Sequence, residues 1–395
     1  MNKKKKWAKR FLLARAVCRP FVAHLARKEY GFKIPKITLH DGPALIFCNH
    51  VTTYDPLLIV AAFKKPCHIV VAKDFIRMKW RKSVQKWFSP IWKDKSLQDP
   101  AVPMEIIRYL RAGESVMVFP EGNRTFSSRL CYIGESTAKL ARSCRSDILF
   151  LNIIGGFTVD PRFSLDFRKG QMEIVYRGML KKEDVAKMEL EEILEKIKEN
   201  LTINEIPSQV ASISEKRAEK LERVLYRCPV CHSLNRIHSE GNLVKCDACG
   251  LEVTYGEHLT FESPNNDKFY HHELFDWFQE QEAYVRSTTF GPNDKIYEEN
   301  DVNLEDIDLD HQTMLLEHVP VLMDGSSLKI GDRLFKFDEI KEMAVSGKQN
   351  LLFYSDGITY RLSSSIVGWN PLKYMQMFYH IRNVSTGQED KFLGI

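Results

Sequence analysis

Four cysteines in two short turns constrain this chain more than any other feature: Cys228-Pro229-Val230-Cys231 and Cys246-Asp247-Ala248-Cys249, with 14 residues between the inner pair. Two Cys-x2-Cys turns at that spacing bring four thiolates to the corners of a tetrahedron, the geometry zinc prefers. Such a pair folds as a small ribbon, and Ser239-Glu240-Gly241-Asn242 offers a hairpin turn between its halves. Four Cys ligands leave no open coordination position, so the ion is expected to be structural. His232, His238 and His258 are then surface residues, and Cys18, Cys48, Cys67, Cys131 and Cys144, which lack ligand spacing, are expected as buried thiols. The lack of an evident cleavable leader suggests cytosolic, reducing surroundings, in which metal binding is expected in place of disulfides.

The ribbon also marks a change of charge. Residues 1–225 carry 42 Lys and Arg against 25 Asp and Glu, whereas residues 226–395 carry 15 against 27. A cationic first half facing an anionic second half directs the first toward a polyanion, a membrane surface or nucleic acid. The acidic balance around the ribbon argues against a phosphate backbone as its partner. At 395 residues the chain is too long for one core and is expected to form two or three units.

The first 40 residues sharpen the charge argument, with 12 basic side chains and one acid, Glu29. Trp7, Phe11, Ala14, Cys18, Phe21 and Leu25 recur at helical spacing, with Lys9, Arg10, Arg15, Arg19 and Arg27 elsewhere and Pro20 expected to kink the helix or begin a second one. A helix of this kind can lie in the headgroup layer of an anionic membrane. Trp80, Trp87 and Trp92 among Lys79, Arg81, Lys82, Lys86, Lys93 and Lys95 repeat the mixture. No run of about 18 apolar residues and no cleavable leader is evident, so the expectation is a peripheral protein at the cytoplasmic face of a membrane.

Chemistry is expected at the ends of two apolar strands. Ala44–Cys48 runs into Asn49-His50-Val51-Thr52-Thr53-Tyr54-Asp55-Pro56, where Asp55 and Pro56 have the form of a helix cap and first helical residue. His50 and Asp55 would face apart on a continuous helix, so contact between them needs the turn that this segment supplies. An imidazole aligned by a carboxylate suits removal of a proton from an alcohol, and an activated thioester needs no nucleophilic Ser or Cys. Ser115–Phe119 likewise ends in Pro120-Glu121-Gly122-Asn123-Arg124-Thr125. Gly122 permits close backbone approach to a ligand, and Arg124 offers a fork for phosphate.

Asn-His-x4-Asp followed by Phe-Pro-Glu-Gly-Asn-Arg, each at a strand end, resembles the glycerolipid acyltransferase family, typified by 1-acyl-glycerol-3-phosphate acyltransferase, over about residues 35–180. Gly134 with Thr137–Ala141, and Lys73-Asp74, are similar to further family segments. The resemblance implies an α/β domain in which His50 is the general base, Asp55 its partner, and Glu121, Gly122 and Arg124 the acceptor-binding wall. Asn49 and Asn123 are expected beside them, with Lys95 in the place of a family arginine and Asn152 in the place of a family proline. It implies acyl transfer from acyl-CoA or acyl-carrier protein to a lysophospholipid, 1-acyl-glycerol-3-phosphate first among acceptors, with no catalytic cofactor. The alternatives are another lysolipid acceptor, or a non-catalytic membrane adaptor recruiting a protein through the ribbon and the tail.

The expected organisation is basic helices over 1–34, the acyltransferase domain over 35–180, a helical linker over 181–225, the zinc ribbon over 226–262 and a helix with a β-rich region over 263–395. In the last, strands around 313–323, 327–330, 334–340, 342–345, 350–355 and 358–363 precede a closing helix at Pro371–Arg382, a pattern similar to a pleckstrin-homology barrel.

Overall fold

The computed structural model describes residues 3–38, 42–73, 78–93, 100–263, 267–307, 312–366 and 368–387. It divides into two compact units, one built on the chain up to Ser214 and the other on Glu215–Ile395 together with Phe163–Leu165.

The first unit is an α/β sandwich. Its strands are β1 (Ala44–Cys48), β2 (Cys67–Ala72), β3 (Ile91–Lys93), β4 (Ser115–Val118), β5 (Asp147–Ile154) and β6 (Glu173–Leu180), and its helices α1 (Lys3–Tyr30), α2 (Asp55–Ala62), α3 (Met78–Phe88), α4 (Ala101–Arg111), α5 (Glu135–Cys144), α6 (Gly156–Val159), α7 (Lys182–Val185) and α8 (Leu190–Leu201). The sheet order is β3-β2-β4-β1-β5-β6, parallel except for the β5–β6 pair. Every residue of β1 is buried, as expected of a strand covered on both faces. Ala44, Ile46 and Cys48 join the core beneath α1 and α2. Leu45 and Phe47 join the opposite core with Ile106 of α4, Ala138 of α5 and Ile193 of α8.

Two expectations change here. The stretch read as a linker contains α8, whose Ile193, Ile197 and Leu201 are fully buried in that second core. Its Leu and Ile spacing is therefore a core-facing stripe. α1 runs unbroken through Pro20, and its inward side is rotated from the expected stripe. Phe11 and Ala26 are buried, whereas Cys18 is exposed and Phe21 and Leu25 point outward with Leu13 and Val17. Arg19, expected on the solvated side, instead donates to Ala61 O at 3.1 Å and Ile34 O at 3.4 Å. A guanidinium there satisfies a carbonyl in the last turn of α2.

In the second unit, β7 (Ile237–Glu240), β8 (Leu243–Cys246), β9 (Glu252–Tyr255) and β10 (Phe261–Glu262) form an antiparallel ribbon. Gly241 occupies the β7–β8 turn at φ 58°. After α9 (Leu274–Ser287) come β11 (Tyr297–Ile307), β12 (Gln312–Met323), β13 (Ser327–Ile330), β14 (Arg333–Lys336), β15 (Glu342–Ser346), β16 (Asn350–Ser355) and β17 (Ile358–Ser363), closed by α10 (Pro371–Thr386). These seven strands make one antiparallel sheet in the order β14-β13-β12-β11-β17-β16-β15. The ribbon and this sheet share one unit: buried Lys373 of α10 donates to Asn235 Oδ1 at 2.9 Å and pairs with Glu299 of β11.

Candidate active site and metal centre

Parallel pairing of β1 with β4 places Phe47 opposite Val118, so the residues three further along, His50 and Glu121, meet beyond the C-terminal ends of these central strands. Glu121 Oε1 accepts the His50 N–H at 2.7 Å and Oε2 accepts the Cys131 N–H at 2.8 Å. Glu121 therefore ties the two turns together, both of its oxygens accepting backbone N–H groups. Burial pushes its carboxyl up to about 7 against the pull of the Cys131 and His50 N–H groups.

The turn after β1 brings His50 Nδ1 to 2.8 Å from Asp55 Oδ2. The same oxygen accepts Val51 N–H at 2.7 Å and Thr52 N–H at 3.0 Å, while Oδ1 accepts the Thr52 hydroxyl. Asp55 is fully buried in the first turn of α2, behind Tyr54 at the cap position. Its carboxylate, expected to cap the helix, is instead folded back into the preceding turn, where it gathers three N–H donors on one oxygen. With Nδ1 donating to a carboxylate, the imidazole takes the tautomer whose Nε2 can receive a proton. The His50 side chain is 19% exposed and its ring stacks on Phe119 at 4.5 Å. Tyr54 and Leu57, just beyond the turn, are exposed apolar surface. An imidazole so aligned, and partly exposed, can accept a proton.

Other expected site residues are placed differently. The Asn49 amide donates to Ile153 O at 3.0 Å and accepts Ile153 N–H at 2.7 Å, so it extends the β1–β5 ladder and does not line the site. Arg124 turns its fork inward: Nε donates to Val51 O at 2.8 Å, Nη1 to Thr53 Oγ1 at 2.8 Å, and Nη2 to Asp160 O at 2.5 Å. All three nitrogens of the expected phosphate fork are thus engaged by protein acceptors. Gly122 adopts φ 69°, a left-handed position that glycine holds without penalty. A Cβ there would stand 3.7 Å from Lys93 Nζ. Asn123 Oδ1 lies 3.5 Å from Arg162 Nη1. Lys95, expected to contact phosphate, lies outside the described residues.

Asp160 had no signal in the sequence. It is fully buried, and its Oδ2 accepts Thr53 N–H at 2.7 Å and pairs with Arg124 Nη2 at 3.3 Å. A cavity of about 320 Å³ is lined by Gly42, Pro43, Arg111, Arg145 and Asp147 among others. It lies at the strand starts, at the opposite end of the sheet from His50.

In the second unit the four cysteines converge. Their Sγ atoms all lie within 4.8 Å of one another, with Cys228–Cys249 and Cys231–Cys246 each separated by 3.7 Å. A tetrahedron with metal–sulfur bonds of about 2.3 Å has an edge of about 3.8 Å. The cluster fits a tetrahedral metal ion and is too open for disulfides.

The family model described as "Acyltransferase" matches residues 29–177. A protein of Mycoplasma pneumoniae described as "Probable 1-acyl-sn-glycerol-3-phosphate acyltransferase" is 29% identical over 134 residues, 32% of this chain and 50% of that protein. The chain therefore spans half the length of that relative. The crystal structure of the 1-acyl-sn-glycerophosphate (LPA) acyltransferase PlsC from Thermotoga maritima aligns with a TM-score of 0.39 at 15% identity, covering 50% of this chain and 81% of that one. Both motif turns lie within the residues that match, so the first unit carries an acyltransferase-type domain similar in sequence to the Mycoplasma protein.

Proposed function

We propose that this protein transfers an acyl group from acyl-CoA or acyl-carrier protein to the free hydroxyl of 1-acyl-glycerol-3-phosphate, forming phosphatidate. The observation that carries this reading is the 2.8 Å contact between His50 Nδ1 and buried Asp55. His50 Nε2 takes the hydroxyl proton as the oxygen attacks the thioester carbonyl. Asp55 stabilises the imidazolium, and collapse of the tetrahedral adduct expels the thiolate, to which the proton passes. The phosphorylated acceptor agrees with the basic first half of the chain and with the description of the Mycoplasma relative.

The ion at Cys228, Cys231, Cys246 and Cys249 is proposed to be zinc in a structural role. Four thiolates select it among common divalent ions, and saturated coordination removes it from the reaction. The enzyme is proposed to work as a peripheral protein at the cytoplasmic face of a membrane, the outward Leu13, Val17 and Phe21 of α1 entering the headgroup layer beside its Lys and Arg. No described helix is long and apolar enough to cross a membrane.

Purified full-length protein supplied with lysophosphatidate and acyl-CoA or acyl-carrier protein should form phosphatidate, detected by mass spectrometry. Acylation of a different lysolipid in a mixed extract would replace the acceptor, and no acylated product with either donor would overturn the activity.

A further inference from the structure

The first unit runs on past α8 to Ser214. Over residues 202–214 the chain forms no helix and pairs only through an isolated antiparallel bridge, Ile213 to Lys169. Ile206, Ser208 and Ser212 are nevertheless buried. A buried stretch without regular structure must be held by other hydrogen bonds, and several of those made here cross to the catalytic end of the sheet.

Two of them grip α6 at its start and near its end. Glu205 Oε1 accepts the Gly155 N–H at 2.7 Å, the first amide beyond the last β5–β6 pair, Ile154 with Glu173. Ser212 Oγ donates to Thr158 O at 2.8 Å. α6 in turn lies on the catalytic turn, for a Cβ on Gly156 would stand 2.9 Å from Val51 Cβ and 3.1 Å from Thr52 Cγ2. Val51 and Thr52 are the residues whose N–H groups meet Asp55 Oδ2. The turn after β4 is reached as well. Asn204 Oδ1 accepts from Arg129, whose carbonyl accepts the Thr125 hydroxyl at 2.6 Å, and Thr125 N–H donates to His50 O at 3.0 Å.

Groups packed this closely move together, so a shift of α6 is passed to the amides that hold Asp55. Burial pushes the Glu205 carboxyl up to about 7 against the pull of the Gly155 N–H. An uncharged amide oxygen can therefore stand in for it as the acceptor of that N–H.

We propose that Glu205 is a positioning residue for acyl transfer: by holding Gly155 it seats α6 against Val51 and Thr52, and residues 202–214 act as a strap that fixes the His50–Asp55 turn. Its effect on kcat rests on the function proposed above, while its effect on the turn does not.

The test compares Glu205→Met, Glu205→Gln and Ser212→Ala with wild type, by hydrogen exchange of the peptide covering residues 49–57 and by kcat and acceptor KM with lysophosphatidate. Glu205→Met keeps the length of the side chain and removes the acceptor oxygen. It should speed exchange in that peptide and lower kcat about tenfold, with acceptor KM within about threefold of wild type. Glu205→Gln should recover most of both losses. Ser212→Ala should act in the same direction with a fall in kcat of about threefold, and it carries the same readouts should Glu205→Met fail to fold. Exchange of residues 49–57 equal to wild type in the folded variants overturns the strap, whether or not the protein turns over lysophosphatidate. Faster exchange with kcat within about twofold of wild type overturns the role in catalysis. A Glu205→Gln protein as impaired as Glu205→Met overturns the role given to the acceptor oxygen. If the wild type acylates no lysophosphatidate, the proposed reaction fails on its own and the exchange comparison decides the strap.

Discussion

Replacing Asp55 by Asn tests the base pair with the smallest change of shape. The carboxylate is fully buried, and one of its oxygens accepts His50 Nδ1, Val51 N–H and Thr52 N–H at 2.7 to 3.0 Å. The amide keeps one acceptor oxygen, loses the charge, and turns an N–H toward a former acceptor position. A hydrogen bond to a charged group is worth about 1.5–3 kcal/mol. Losing that much from the imidazolium alone slows proton abstraction about 10- to 150-fold. If the amide N–H also faces Nδ1, the ring must take the wrong tautomer, which costs about 10⁴ in a serine protease triad. The expected result is a fall in kcat of at least about 10²-fold with acceptor KM changed less than about threefold, read by steady-state acyl transfer. A thermal melt run alongside should show a folded protein with stability lowered by about 1–3 kcal/mol. A folded Asp55→Asn protein within twofold of wild-type kcat would refute the role given to this carboxylate.

Glu121, pushed up to about 7 by burial, binds more protons folded than unfolded between about pH 4.5 and 7. Its contribution to stability is therefore full below that window and declines across it by about 3 kcal/mol. Urea midpoints followed over pH should show this slope in wild type and lose it in Glu121→Gln; parallel profiles would contradict it. A Cβ at Gly156 would stand 2.9 Å from Val51 Cβ and Cγ1, so Gly156→Ala should cost about 1–3 kcal/mol by overpacking and lower kcat by displacing the catalytic turn. An unchanged denaturation midpoint would show that the turn yields freely. Purified protein should carry one zinc per chain by elemental analysis, and Cys228→Ser with Cys246→Ser should lose the metal and the protease resistance of the second unit; full metal content in that double variant would exclude these ligands.

Legibility followed sequence distance. The His50–Asp55 contact was readable because both residues lie in one strand-to-helix turn, and the cysteine cluster because its spacing alone fixes a tetrahedron. Asp160 stands 107 residues from Thr53 in no motif, and only the β1–β5 pairing brings it near the turn. Arg124 had the right chemistry for phosphate, but where a guanidinium points depends on acceptors that sequence does not place. β11 escaped because Glu298, Glu299, Asn300, Asp301, Asn303, Glu305 and Asp306 are poor strand formers, leaving Val302 and Leu304 as its fully buried anchors. α8 shows the opposite error: a Lys- and Glu-rich helix has the composition of a solvated linker, yet one side of it is core.

The most direct test of the account is transfer from a saturating acyl thioester to lysophosphatidate by wild type and His50→Ala under identical conditions. Loss of a positioned base should lower kcat by about 10²–10⁴, with the Cys-bound metal and the fold of both units unchanged. Transfer by folded His50→Ala at a rate near that of wild type would contradict the claim that this imidazole takes the proton.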